Sequence, residues 1–207
     1  MNTLGCAANY ENRLKTLERS EDIPIRWRGT AIEKLIRAHN FDELIEPSSK
    51  PELFVATCIE FRFQPKVPPY FAYEVRRASG RLIGSEFTLA FALARGVHFV
   101  ALIGHNDCGM TQVHHFSDNI VDALVEQGWP RDRAEDYVIQ QGARYAIRDE
   151  LDALQREYTR LRRLFSKVEI APLFAAIGDG KLYLPAWYDP ESVDTICDLC
   201  EPDLLFI

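Results

Sequence analysis

No run in this chain approaches the roughly 18 consecutive apolar residues that a membrane-spanning helix needs, so no such span is expected. The opening Met-Asn-Thr-Leu-Gly-Cys lacks a basic leader followed by an apolar core, and no secretory signal is read there. Positive charge is also in deficit. Lys and Arg number 24 against 31 Asp and Glu, a formal net charge of −7. With no basic stripe interleaved with aromatics to offset it, a nucleic-acid partner is disfavoured. Arg160, Arg162 and Arg163 sit among acids in a helical stretch and read as a solvated face. Five cysteines, an odd number spread along the chain, make no disulfide framework. These absences predict a reducing, cytoplasmic setting. Repeats and low-complexity tracts are missing too. At 207 residues and 47% hydrophobic, the chain is long and apolar enough to build a core without staples.

The pattern along the chain predicts an α/β fold. Residues 9–41 read as two helices broken at Asp22-Ile23-Pro24, with Thr30 preceding Ile32, Leu35, Ile36 and Phe41 at helical spacing. Glu46 to Pro51 is a polar, proline-bounded linker. The short apolar run from Leu53 to Cys58 is a buried strand, and Ala72 to Arg76 a second. Ser85 precedes a helix over Phe87 to Leu93, stopped by Gly96. Val97 to Ile103 is the strongest strand, so strand, helix and strand form a βαβ unit with a mostly parallel sheet flanked by helices. Arg133 to Phe165 reads as one long helical region, and the part around 146–165 as a packing or dimer helix. Ile170 to Ile177, the Gly178-Asp-Gly180 turn and Lys181 to Leu184 read as strand, turn and return strand.

Cys58 ends one of the apolar runs, and His105-x-x-Cys108 follows the other. Two thiolates and an imidazole are a soft ligand set suited to Zn²⁺, and three protein ligands leave a fourth position open, as catalytic zinc sites do. In open parallel sheets, ligands bind beyond the carboxyl ends of strands where the strand order reverses. Cys58 and His105, far apart in sequence, meet there if their strands are neighbours.

Two segments carry a resemblance. Cys58-Ile-Glu-Phe-Arg62 resembles the Cys-x-Asp-x-Arg motif of the β-class carbonic anhydrases, and Gly104-His-Asn-Asp-Cys-Gly-Met110 resembles their His-x-x-Cys-Gly segment. Val75-Arg-Arg-Ala-Ser-Gly80 is similar to their Arg-Asn-Ala-Gly stretch. The likeness covers roughly Leu53 to Val113 and, more loosely, the turn at Gly178 to Gly180. It implies a zinc ion held by Cys58, His105 and Cys108, and reversible hydration of CO2 to bicarbonate. It further implies a homodimer or larger homo-oligomer, and a division into an N-terminal helical arm (residues 1–50) and a zinc-binding α/β domain (residues 51–207). Arg62 then pairs with the motif carboxylate, here Glu60 where the family has aspartate. Arg77 stands in place of asparagine and Ser79 in place of glycine.

Zinc brings the pKa of a coordinated water to near ~7. A carboxylate beside it either orients the nucleophile or swings in as a fourth ligand. A bidentate arginine would hold it off. Three functions remain open on these residues: CO2 hydration, hydrolysis of carbonyl sulfide or carbon disulfide at the same site, and a non-catalytic zinc-containing relative that binds bicarbonate. Four further features have two readings each. Asp107 caps the following helix or acts on substrate. His114 and His115 shuttle protons or are plain surface residues. Arg76-Arg77 bind an anion or make salt bridges. Cys197-x-x-Cys200 is half a zinc site, a redox pair or neither.

Overall fold

A computed structural model of the chain describes residue 10 and residues 12–192; Cys197 and Cys200 lie outside the described residues. Six strands form one sheet: β1 (Leu14–Lys15), β2 (Leu53–Thr57), β3 (Ala72–Arg76), β4 (Phe99–His105), β5 (Glu169–Ala175) and β6 (Leu182–Pro185). Their order is β1-β6-β5-β4-β2-β3. The β3-β2-β4-β5 part is parallel, and β6 and β1 add antiparallel on the far side. β2 is buried at every position, as parallel strands covered on both faces are. No helix among the described residues is long and apolar enough to cross a membrane.

The helices are α1 (Ala31–Asn40), α2 (Glu86–Ala94), α3 (Ser117–Glu126), α4 (Arg131–Tyr145) and α5 (Glu150–Leu164). α1 starts where expected: the Thr30 hydroxyl oxygen accepts the Ile32 N–H, satisfying one free donor of the first turn. Ile32, Leu35 and Ile36, with Trp27 and Ile23 before them, join the sheet residues in the main core. α5 buries Leu151, Leu154, Tyr158 and Leu161, spaced to form one stripe, and packs on β4 and β5. That makes it a packing helix of its own subunit. α3 and α4 pack on each other around Val121, Ala134 and Val138, apart from the main core.

Two expected elements differ. The first of the N-terminal helices is absent among the described residues. Asn12 takes a left-handed φ of 65°, and Leu14–Lys15 pair with β6 instead. An open sheet edge gives these backbone groups partners, which outweighs a weak local helix preference. The region from Arg133 to Phe165 is two helices, because Ala146 to Asp149 is drawn out as a turn. The Ile147 N–H donates to the Met110 carbonyl, and the Asp149 carboxylate caps α5 by accepting the Asp152 N–H at 2.8 Å. The helix expected after the His-x-x-Cys motif, for which the sequence set no bounds, is a 3₁₀ segment, Gly109–Phe116, running into α3.

Asp149 is also gripped by both terminal nitrogens of Arg13, at 2.7 Å each. The Arg13 side chain, with the N-cap hydrogen bonds, brings the Asp149 pKa down to about 2. A carboxyl depressed in the folded state adds stability that is present above its unfolded value of about 4 and is lost as pH falls through about 2. Both partners are partly exposed, so the contribution is about 1 kcal/mol rather than the full linkage value. Asp149→Asn should therefore be less stable than the parent by about that much in urea at pH 7. The gap should narrow towards zero near pH 2; a gap independent of pH would reject the assignment.

Candidate metal centre

The strand order places the site. From β2 the chain moves to β3 on one side, and from β4 to β5 on the other, so the reversal falls between β2 and β4. These two are parallel neighbours with Thr57 opposite Ile103. Cys58 follows directly on β2, and His105 ends β4. The crevice expected at such a reversal is where the ligand candidates meet. Gly80 closes its floor. A Cβ there would lie 3.4 Å from the Cys58 nitrogen and 3.5 Å from the Ile103 oxygen, and its φ is +71°. Close backbone approach and a left-handed turn both call for glycine.

Cys58, His105 and Cys108 are 4%, 2% and 4% exposed. Their ligand atoms all lie within 4.8 Å of one another, the described residues' one group of histidine, cysteine or acid side chains able to hold a metal ion. The sulfurs are 3.8 Å apart. Two thiolates at ~2.3 Å from one tetrahedral zinc have an edge of about 3.8 Å, so the spacing fits. The histidine fits as well. Its Nδ1 lies 2.9 Å from the Asn106 carbonyl oxygen, which can only accept, so Nδ1 carries the proton and Nε2 has a free lone pair. Nε2 is buried and has no hydrogen-bond partner among the described residues. An orphaned buried acceptor is costly, and a metal ion satisfies it in the arrangement usual for ligating histidines.

The charge balance points the same way. A hydrogen bond with Cys108 lowers the Cys58 thiol well below its usual range, and the Ser79 backbone N–H helps. The same hydrogen bond, burial and the Cys58 charge push Cys108 upward. Taken as one pair, the first proton leaves readily and the second is held back, because two adjacent thiolates in an apolar surround repel each other. Met110, Ile147 and Ala153 supply that surround. A divalent cation removes the repulsion. Ser79, the residue in place of glycine, keeps a left-handed turn at φ 60°.

Glu60 is buried beside this group, with Oε2 3.9 Å from His105 Nδ1. Its Oε1 accepts from the Arg62 backbone N–H at 2.8 Å and Nε at 2.7 Å, and Oε2 accepts from Nη2 at 2.7 Å. Those hydrogen bonds lower its pKa to about 2, so it is ionised at any ordinary pH. The expected pairing of Glu60 with Arg62 is thus bidentate.

Several contacts were not foreseen. Asp107 caps no helix: it has a φ of 54°, the residue at the cap position of the following 3₁₀ segment is Cys108, and the Asp107 carboxylate binds Arg62. The Cys108 N–H donates to Glu150 at the start of α5, 3.3 Å away. Arg76 donates to the Glu60 and Phe63 carbonyls and to the Gln64 side chain, and Arg77 to the Tyr145 hydroxyl. These arginines therefore brace the loop after β2 and the end of α4 through neutral acceptors, with no salt bridge to another described residue. His114 and His115 are exposed, their rings 5.2 Å apart. Glu150 and Arg76 lie too far from their partners in sequence for any local pattern to reveal them.

No family model matches the chain, and no curated protein is similar to it in sequence. Solved structures are similar. The carbonic anhydrase from Glaciozyma antarctica is 19% identical, with a TM-score of 0.54 over 67% of this chain and 85% of that one. The β-carbonic anhydrase isoform I of Trichomonas vaginalis is 18% identical, with a TM-score of 0.55 over 73% and 92%. An apo carbon disulfide hydrolase is 14% identical, with a TM-score of 0.52 over 67% and 80%. This chain has the fold of the β-carbonic anhydrases.

Proposed function

We propose that the protein is a zinc enzyme that interconverts CO2 and bicarbonate, CO2 + H2O ⇌ HCO3⁻ + H⁺. The observation that carries this is the buried Cys58–His105–Cys108 group, at the strand-order reversal and beside an ionised, arginine-clamped carboxylate. A bound zinc would supply a Lewis acid and a water that ionises near neutral pH. Cys58 and Cys108 would hold it as thiolates and His105 through Nε2, with Asn106 fixing the ring. Glu60 stays anionic and keeps acceptor capacity on Oε2, so it orients a hydroxyl donor in the site. Arg62 holds Glu60 in place. The proton released leaves to solvent or buffer.

A second reading, hydrolysis of carbon disulfide or carbonyl sulfide at the same residues, is favoured by the likeness to the carbon disulfide hydrolase. A third, a non-catalytic zinc relative that binds bicarbonate, draws on Glu60 being one methylene longer than the motif aspartate. An offset of about 1 Å can cost on the order of 100-fold in rate.

The assembly belongs to this reading. β3 is an edge strand, and α2 turns Phe87 and Phe91 outward, 82% and 52% exposed. A free edge beside exposed aromatics is the kind of surface that a second copy covers. Sedimentation that finds only monomer would reject that pairing.

The deciding experiment is stopped-flow CO2 hydration with a pH indicator on zinc-loaded protein. Turnover well above the buffer rate is expected, and faster turnover in Glu60→Asp if the extra methylene is a handicap. No hydration with zinc fully bound, but sulfide release from carbon disulfide, would establish the second reading instead. If neither substrate turns over, the third reading stands.

A further inference from the structure

The two loops that carry the ligand candidates are joined by one side chain. Arg62, on the loop after β2, spends Nε and Nη2 on Glu60. Its Nη1 donates to Asp107 Oδ2 at 2.7 Å, and Nη2 also reaches the Asp107 carbonyl at 3.0 Å. Asp107 lies between His105 and Cys108 on the loop after β4. Its φ of 54° turns both its carboxylate and its carbonyl towards the same guanidinium. A left-handed conformation is unfavourable for most side chains and tolerated by aspartate and asparagine. So the carboxylate is delivered at some local cost, to a surface where it is 67% exposed. An exposed ion pair adds little to stability, which leaves orientation of Arg62 as what this contact accomplishes.

We propose that Asp107 is the positioning residue that holds the Arg62 guanidinium across Glu60 and thereby keeps the Glu60 carboxylate off the metal position. The inference rests on the metal reading above and adds the gate's anchor. With Asp107 in place, the guanidinium is held at three corners and cannot swing into solvent. Without it, Arg62 keeps only a partner on its own loop, two residues away, and the pair can move as a unit. A glutamate released beside a divalent cation is a competing ligand. The fourth position would then be filled by the protein.

The test uses the full chain loaded with Co²⁺, which reports thiolate ligation by its charge-transfer absorption, and azide as the probe of the open position. Asp107→Asn keeps the backbone turn, and Asp107→Gly keeps it while relieving the positive φ, so neither threatens folding. Arg62 Nε–H exchange, followed by NMR, should accelerate in both variants. Azide affinity should fall on the order of ten-fold in Asp107→Gly, the scale on which outer partners of metal sites act. It should return when Glu60→Gln is added. The sign is diagnostic: deleting a negative charge near the site would by itself strengthen anion binding, and a merely structural role would shift the melting temperature instead. Thiolate bands with unchanged or tighter azide binding overturn the proposal, as does faster Nε–H exchange with no change in azide affinity. Absence of thiolate bands in the unaltered chain overturns the metal reading itself, a different failure.

Discussion

Cys108→Ser protein should emerge from dialysis against a chelator without zinc, and its CO2 hydration should not exceed that of buffer. The substitution is nearly isosteric at a buried position, so the fold is expected to survive it. What it removes is chemical. A serine hydroxyl does not ionise in the range where a thiol does, and it offers a hard oxygen where the site presents soft sulfur. The remaining Cys58 and His105 would leave two positions to fill. The loss should exceed the ~10–100-fold in affinity that removal of an outer-shell partner costs, because a direct ligand is gone. Zinc per chain by atomic absorption, read beside the stopped-flow rate, checks both halves. A serine variant that retains one zinc per chain and the parent rate would show that the 3.8 Å sulfur pair is no metal site.

The second large effect lies away from the chemistry. Glu157 on α5 is 2% exposed. It accepts the Leu82 N–H at 2.9 Å and two guanidinium nitrogens of Arg160 at 2.7 and 3.0 Å, with Arg81 Nε 3.8 Å away. Arg160 in turn binds Glu86 at the start of α2. One carboxylate therefore ties α5 to the segment that runs from Gly80, at the back of Cys58, into α2. Truncation by Glu157→Ala strands a buried backbone donor, takes the nearby carboxylate from Arg81 and leaves Arg160 with Glu86. Breaking a buried pair costs about 3–5 kcal/mol, and the partly exposed arginines place this one near the lower end, about 3 kcal/mol. By contrast, the pair Arg131–Asp122, 57% and 59% exposed, is screened by water and adds little. Urea unfolding at fixed zinc should show the Glu157→Ala midpoint well below the parent's and that of Asp122→Ala close to it. A Glu157→Ala loss of less than about 1 kcal/mol would refute the tie.

Much of this molecule was legible in its residues. β2 and β4 were visible as short apolar runs because parallel strands are buried on both faces, and their chemistry begins where the apolar residues stop. Thr30 marked the start of α1 through a local hydrogen bond, and Gly178 to Gly180 marked the return between β5 and β6. Cys58, His105 and Cys108 stood out because soft ligands at strand ends are uncommon without a metal. Each of these signals is local: a period, a cap or a turn.

The failures share the opposite property. Leu14–Lys15 became a strand because β6, at Leu184 and Pro185 near the other end of the described residues, offered its edge. The helical run after Arg133 broke over Ala146 to Asp149, because Met110 binds Ile147 and Arg13 binds Asp149 from distant segments. Asp107 was read as a cap since it precedes a helical segment, but Arg62 claimed it. In sequence these partners are separated by stretches that no periodicity spans.

The residues by themselves determined the α/β class, the strand ends and the three candidate ligands, since those follow from side-chain chemistry and short-range hydrogen bonding. Only the tertiary structure decided that β2 and β4 are neighbours, that the sulfurs stand at a zinc-like spacing, and that Glu60 is clamped by an arginine which Asp107 in turn holds. Those are relations between surfaces brought together by burial, and burial is a property of the folded whole.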